Sequence, residues 1–151
     1  MIVASSDRLL DPAAAQQLIG NLQAHLAVGT AVRPGLRVAS ICSGAFLLGA
    51  MGLLDDRDAT THWRRCDTLA RRHLGARIHP EALYVDAGEV LTSAGVAAGI
   101  DLCLHIIRSD HGTRIANNVA RSCIVAPLRE GGQAQYIQAT VTRPAAARLP
   151  V

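Results

Sequence analysis

Residues 37–48 constrain the fold of this chain more than any other segment. A short run of β-prone apolar residues, Val38–Ile41, leads directly to Cys42. Two small residues follow, Ser43 and Gly44, and then a helix-like apolar run over 45–51. A strand that turns into a helix at one residue presents that side chain at the edge of the sheet, as in nucleophile elbows. The segment therefore predicts a strand, a sharp turn at Cys42 and a helix.

Two interpretations of Cys42 stay open on this pattern. Unpaired backbone N–H groups and the helix dipole favour an anion at a helix N-terminus, and cysteines in such positions ionise more readily than free cysteine. Cys42 is then a reactive thiol. The alternative is a buried structural cysteine, because free cysteine is among the most buried residue types.

The size and composition of the chain predict one domain. Its 151 residues fit the usual size of a single domain, and half of them are hydrophobic. Since only 3% are aromatic, aliphatic side chains and alanine have to build the core. The longest apolar run, 44–54, is shorter than the roughly 20 residues that cross a bilayer, and no signal-peptide pattern opens the chain. The sequence therefore predicts a cytoplasmic protein that does not contact the membrane.

The cysteines and charges exclude two classes of site. The four cysteines show no metal-ligand spacing, so neither a metal nor a cofactor is expected. Cys66, Cys103 and Cys123 fall among apolar residues in helical patterns, which predicts that they fill the core. The formal charge is +3, but the basic residues are scattered and form no long stripe. They indicate solvated helix faces and not a nucleic-acid surface.

Strand patterns alternate with helical ones along the chain. Asp11 and Pro12 predict the start of a first helix, Thr61 is the expected cap of a third, and a polar loop is expected over 55–59. The predicted strands cover residues 38–41, 76–79, 83–86 and 89–93, with a strand stub over 1–5. Helices are expected after residue 95 and from residue 113. This alternation predicts an α/β fold with a mostly parallel sheet flanked by helices.

The predicted binding site lies at the carboxyl edge of this sheet, where parallel α/β folds hold ligands. Two strand-to-helix turns meet there, one at Cys42 and one after residue 92. The candidate ligand-binding residues are Ser43, Gly44, Thr92, Ser93, Ala94 and Gly95. His62 follows the first of these helices and can return to the same edge, where a cysteine and a histidine form the minimal nucleophile and base. The alternative for His62 is a surface residue at the start of a helix.

Asp101 lies inside the apolar helix after residue 95. A carboxylate there needs a partner, because burying an unpaired charge is costly. Its expected role is structural, namely holding a neighbouring loop.

Three segments in order resemble the ThiJ/PfpI family of the class I glutamine amidotransferase-like superfamily. They are residues 39–46 (Ala-Ser-Ile-Cys-Ser-Gly-Ala-Phe), 59–63 (Ala-Thr-Thr-His-Trp) and 91–101 (Leu-Thr-Ser-Ala-Gly-Val-Ala-Ala-Gly-Ile-Asp). The resemblance implies a flavodoxin-like sandwich over about residues 3–137. It also implies that Cys42 is the elbow cysteine of the family and that His62 is the histidine placed near it.

A narrower resemblance involves residues 110–121 and 131–136. They are similar to the closing part of this domain in AraC-type transcriptional regulators of the GlxA-like kind, where the domain precedes two helix-turn-helix motifs. The resemblance implies a sensory domain that binds a small metabolite and forms a homo-oligomer. In such regulators DNA is bound only through the helix-turn-helix domain, and no pattern for one is found in these 151 residues.

The chain departs from the family pattern at both ends. The first strands, and the acidic residue that completes the site in catalytic relatives, are expected to be missing, so the chain is interpreted as a shortened domain. Residues 1–137 then form the partial domain and 138–151 a linker-like tail rich in Arg, Pro and Ala. Two alternatives to a sensor domain are a small cysteine-dependent hydrolase or hydratase and a non-functional remnant. Without the acidic residue, the enzyme is the less favoured interpretation.

Overall fold

A computed structural model describes residues 2–3, 6, 10–27 and 37–135. Within them, six strands and five helices follow one another, with strands and helices alternating as far as the fourth strand. They are β1 (Ile2–Val3), α1 (Pro12–Ala27), β2 (Val38–Ile41), α2 (Gly44–Ala50), β3 (Asp58–Ala59), α3 (Trp63–Arg72), β4 (Arg77–Ile78), β5 (Tyr84–Ala87), β6 (Val90–Ser93), α4 (Val96–His111) and α5 (Thr113–Ser122). The tail predicted for 138–151 lies outside the described residues.

The main sheet has the strand order β1-β2-β6-β5. β1 and β6 both pair with β2 in parallel, and Val38 lies opposite Val90. β5 is the exception, since it forms an antiparallel hairpin with β6 that turns at Gly88 (φ +82°). β3 and β4 form a separate parallel pair. The α/β class and the mostly parallel sheet predicted from the sequence are therefore confirmed.

Two helix starts show how local chemistry sets the boundaries. Asp11 Oδ1 accepts a hydrogen bond from Ala13 N–H at 3.0 Å, and α1 begins at Pro12, as the sequence predicts. The predicted cap of α3 was wrong. His62 and not Thr61 caps this helix, because the Thr61 hydroxyl donates instead to the distant Cys42 carbonyl at 2.7 Å.

The expected polar loop over 55–59 contains strand β3, which the sequence did not predict. Asp58 holds this two-residue strand against β4 through Arg77, whose Nε and Nη2 donate to its two carboxylate oxygens at 3.1 and 3.0 Å. His79 Nε2 lies 2.7 Å from the same carboxylate. These hydrogen bonds from Arg77 and His79 hold the pKa of Asp58 well below its usual value.

The hydrophobic core lies on both faces of the main sheet. Successive residues of β2 point to opposite faces, so Val38 packs with Phe46 and Leu48 while Ala39 packs with Leu91 and residues of α4. Most buried residues on both faces are aliphatic or alanine, as the composition predicts. Through these side chains α2 packs against one face of the sheet and α4 against the other.

The predicted burial of three cysteines is confirmed only in part. Cys66 is buried, Cys103 is half-buried and Cys123 is exposed. Cys123 differs from the prediction because α5 ends at Ser122, so that Cys123 is the exposed C-cap residue of this helix. The helical pattern in the sequence includes Cys123, so it did not indicate that α5 ends one residue earlier.

Gly131 lets the segment after α5 pack directly against β5. Its carbonyl accepts a hydrogen bond from Leu83 N–H at 2.7 Å, and a Cβ at this position would lie 2.4 Å from the carbonyl oxygen of Tyr84. We expect Gly131→Ala to lower the free energy of unfolding by about 1–3 kcal/mol, measured by urea denaturation, because the backbone has to move. Gly132→Ala is the matched control, since a Cβ at Gly132 meets nothing within 4 Å. Equal stability of the two variants would contradict this close packing.

Candidate functional site

The backbone of Cys42 joins three segments at the carboxyl edge of the sheet. Its N–H donates to the carbonyls of Ser93 (2.9 Å) and Ala94 (3.0 Å), and its own carbonyl accepts from the Thr61 hydroxyl. Cys42 has φ +53°, in the left-handed region that residues other than glycine rarely adopt. The sharp turn predicted between β2 and α2 is therefore present, and the half-buried thiol stands at its tip.

Ser43 and Gly44, two of the predicted ligand-binding residues, make contacts within the protein. The Ser43 hydroxyl donates to the Ser6 carbonyl and accepts from the Ser6 N–H, both at 3.0 Å. Gly44 is buried as the first residue of α2. These contacts fasten the segment after β1 to the turn at Cys42.

Thr92 and Ser93 are also buried, and their hydroxyls bond within the sheet edge. Thr92 Oγ1 accepts from the Thr60 N–H at 2.8 Å, and Ser93 Oγ donates to the Ser40 carbonyl at 3.3 Å. Their side chains therefore position neighbouring strands. Whether any of these residues binds a ligand stays a prediction.

Ala94 and Gly95 line a cavity of about 250 Å³ beside this edge. Its walls come from four parts of the chain: residues 62–63, Leu83, residues 94–98 at the turn from β6 into α4, and the segment after α5 with Arg129 and Gln135. The cavity thus combines an indole, a guanidinium, an imidazole and an amide with small apolar side chains. A few polar groups on a mostly apolar wall are typical of small-molecule sites.

His62 stands between α3 and this cavity. Its Nδ1 accepts a hydrogen bond from Arg64 N–H at 3.2 Å, so the neutral ring carries its proton on Nε2. Burial, with smaller contributions from the charges of Arg64 and Arg65, lowers the pKa of His62. The ring also lies close to Gly95, where a Cβ would be 3.5 Å from His62 Cδ2. The structure therefore places the predicted histidine at the second strand-to-helix turn, as a neutral hydrogen-bond donor.

The lowered pKa of His62 predicts that acid weakens the fold. The unfolded chain binds a proton near the usual histidine pKa of about 6.5, whereas the folded chain resists it, so stability is lost as the pH falls through that value. Burial lowers the pKa of His73 in the same direction. In urea denaturation at several pH values, His62→Asn should reduce this loss, because asparagine caps helices without titrating. An unchanged pH dependence in the variant would contradict the assignment.

Gln135 was missed by sequence reasoning although it holds the His62 turn in place. Its Nε2 donates to the carbonyls of Thr61 (3.1 Å), Pro80 (2.8 Å) and Ala82 (2.9 Å), and its Oε1 accepts from the Trp63 N–H at 3.0 Å. The side chain is buried and bonds to the backbone on both sides of His62. A single glutamine in a Gly-rich segment gave no signal of this role.

Asp101 has a partner in Arg129. Asp101 is 7% exposed, and the Arg129 Nε donates to its carboxylate at 3.1–3.2 Å while Nη2 donates to Oδ2. Arg129 also lines the cavity, so the ion pair connects α4 to the cavity wall. The sequence indicated that Asp101 needs a partner, but it did not identify which cation supplies it.

Two further findings concern only the part of the chain that the structure describes. No group of three or more His, Cys, Asp or Glu side chains there is arranged to hold a metal ion. None of the helices there combines the length and apolar character needed to cross a membrane.

The chain is similar to parts of known transcriptional regulators and of an enzyme. It is 33% identical over 106 residues to the HTH-type transcriptional regulator CdhR of Pseudomonas aeruginosa, which covers 70% of this chain and 31% of that protein. It is 36% identical over 108 residues to the HTH-type transcriptional regulator GlxA of Rhizobium meliloti (70% and 32%). Isonitrile hydratase of Pseudomonas putida is 39% identical over 90 residues (60% and 38%). The chain therefore spans about a third of the length of the curated relatives that it matches.

Solved structures show the same fold. A ThiJ/PfpI family protein from Pseudomonas syringae matches with a TM-score of 0.54 at 35% identity, over 62% of this chain and 37% of that one. An AraC family transcriptional regulator from Pseudomonas putida matches with a TM-score of 0.58 at 24% identity, over 76% and 56%. The sequence itself matches the DJ-1/PfpI family over residues 13–109, well over half of the chain. The resemblance seen in the three motifs is confirmed, and the chain belongs to the DJ-1/PfpI family.

Proposed function

We propose that this chain is the ligand-sensing and dimerisation domain of an AraC-type transcriptional regulator. The cavity of about 250 Å³ at the sheet edge carries this proposal, because it offers a small metabolite an aromatic wall and three kinds of polar group. The regulators among its relatives support the regulatory role. The same proposal includes that the domain is soluble and acts in the cytoplasm.

The side chains around the cavity favour a small metabolite that carries a carboxylate. The His62 Nε2–H offers a carboxylate a hydrogen-bond donor, and the Arg129 guanidinium, held by Asp101, adds a cationic group to the wall. Trp63 and the small residues at the start of α4 provide apolar contact for the rest of the molecule. Binding would then bring together α3, α4 and the segment after α5.

Calorimetric titration of the purified chain with amino acids and small carboxylic acids tests this site. Ala97 is exposed and lines the cavity, so Ala97→Trp should fill it without disturbing the core, and titration heats seen with the unmodified chain should disappear. Ser109→Trp is the matched control, because Ser109 is exposed farther along the same helix and does not line the cavity. Binding that survives Ala97→Trp would show that the cavity is not the site.

The dimerisation and DNA parts of the proposal need separate measurements. Sedimentation equilibrium of the 151-residue chain should show a concentration-dependent homo-oligomer.

This chain should not shift promoter DNA in an electrophoretic mobility assay, since its basic residues are scattered and DNA affinity requires clustered phosphate contacts. A monomer at all concentrations, or a shifted DNA band, would contradict the respective part.

A cysteine-dependent hydratase or hydrolase is the second candidate. The left-handed backbone of Cys42 favours it, because strain of this kind accumulates at reactive turns, and isonitrile hydratase is among the relatives. The orientation of His62 counts against it, since the neutral ring carries its proton on Nε2 and Nδ1 is already bonded to Arg64. To accept the proton of the Cys42 thiol, His62 would need a ring nitrogen whose lone pair is not already used in a hydrogen bond.

Alkylation distinguishes the two candidates. An enzyme requires a thiolate, so iodoacetamide should modify Cys42 rapidly even at about pH 6, and peptide mapping locates the modification. A sensor domain predicts slow modification that accelerates only as the pH approaches the usual cysteine range. Exposed Cys123 serves as the internal reference in the same digest.

A further inference from the structure

A second cavity, of about 320 Å³, lies between α4, α5 and the end of β2, where Ile41 precedes Cys42. Its wall is formed by aliphatic side chains and two thiols, Cys103 and Cys123. No side chain in this wall carries a charge. The two sulfur-bearing residues are thus the reactive groups of this cavity, and they come from different helices.

The two cysteines line this cavity from α4 and from the C-cap of α5. α4 and α5 are separated by Gly112 alone, whose φ of +83° lets the chain reverse. Ile107 and Val119 line the cavity on either side of this reversal. Cys103 lies four residues before Ile107 and Cys123 lies four residues after Val119, and both cysteines line the same cavity.

The two thiols differ in access. Both are free, but Cys123 is exposed at the C-cap of α5, where the main chain can shift with little loss of helical hydrogen bonding. Cys103 is half-buried in the middle of α4, and burial raises its pKa. A reagent from solution therefore meets Cys123 first, and Cys103 is placed to react second. The other two cysteines lie elsewhere, Cys42 at the sheet edge and Cys66 in the core.

We propose that Cys103 and Cys123 form a modification site that a low-molecular-weight disulfide converts into an intramolecular disulfide. The Cys123 thiolate attacks one sulfur of the reagent, forming a mixed disulfide and releasing one thiolate. Cys103 then loses its proton to solvent and attacks the Cys123 sulfur, which releases the second thiolate. Two protein thiols are oxidised, one reagent disulfide is reduced to two thiols, and the protons lost by the cysteines balance those gained by the products.

The disulfide would close the cavity and tie the end of α5 to the middle of α4. This differs from the proposed sensory role, because the cavity beside His62 contributes no residue to the bond. Through this disulfide the domain would also respond to the ratio of thiols to disulfides in its surroundings. Disulfides in reducing compartments are usually transient and regulatory.

Incubation of the full chain with glutathione disulfide, followed by mass spectrometry, tests the proposal. Arg108, Arg114 and Arg121 separate the two cysteines in a tryptic digest, so the bond appears as a linked peptide pair that dithiothreitol resolves. The intact chain should lose two hydrogen atoms and keep no glutathione. Cys103→Ser should retain one glutathione on Cys123, and Cys123→Ser should react at least roughly tenfold more slowly, because the accessible thiol is gone.

Two results would overturn the proposal. One is a wild-type chain that keeps glutathione on Cys123 as stably as Cys103→Ser does, which would show that Cys103 cannot reach it. The other is a linked peptide that contains Cys42 or Cys66 in place of Cys103. Circular dichroism of each variant checks that the fold is kept, and exposed Cys123 tolerates serine without a change in packing.

Discussion

Arg129→Met is expected to lower the free energy of unfolding by about 3–5 kcal/mol, more than other single substitutions at the site. The substitution leaves the carboxylate of Asp101, which is 7% exposed, without its guanidinium inside α4. An uncompensated buried charge is costly, whereas methionine keeps most of the side-chain volume. Urea denaturation at neutral pH measures the loss.

The double variant Arg129→Met with Asp101→Leu separates charge from packing. It removes both members of the pair, and we expect it to recover most of the stability, since well-packed apolar residues often replace a buried ion pair without loss. Arg121→Met is the matched control, because Arg121 is exposed and its guanidinium donates to Asn118 of its own helix. A double variant as unstable as the single one would show that Arg129 acts through its contacts with the cavity wall and not through Asp101.

Gln135→Met should produce the second largest effect. It removes the amide that bonds to Thr61, Pro80, Ala82 and Trp63, and methionine fills the space without making these hydrogen bonds. Each buried group left without a partner costs about 1–3 kcal/mol, and the Trp63 N–H at the start of α3 loses its acceptor. Hydrogen exchange should accelerate at residues 61–65 as well as at the site of substitution, since Gln135 holds that turn.

Gln133→Met is the control for this experiment, as Gln133 is exposed two residues earlier in the same segment. It should leave both stability and exchange unchanged. If Gln135→Met destabilises the chain while exchange at residues 61–65 stays slow, the glutamine supports only its own segment. The role assigned to it at the His62 turn would then be wrong.

The sequence predicted those elements whose boundaries depend on nearby residues. β2 and α1 follow from a β-prone run and an Asp-Pro cap, both within a few positions. The cap of α3 was misassigned because Thr61 and His62 can both cap a helix, and a hydrogen bond to distant Cys42 decides between them. β3 was missed because two residues show no periodicity and the strand depends on Arg77.

The same distinction applies to the site. Cys42 and His62 could be proposed as site residues because each belongs to a short motif, and their roles stay a prediction. Gln135 and Arg129 contact residues far earlier in the chain, and a polar residue in a Gly-rich segment gives no local sign of such a contact. Cys123 was misassigned to the core because the end of α5 depends on geometry beyond its own helical pattern.

The parallel pairing of β2 with β6 determines how quickly this molecule can fold. Val38 reaches Val90 only after α2, α3 and the β5 hairpin strand have been passed, so the chain has to close a long loop before this contact stabilises it. α4 and α5, by contrast, meet across a single glycine and can dock at once. Folding rates fall as contacts become more distant in sequence, and we therefore expect a fast helical phase followed by a slower phase in which the sheet forms.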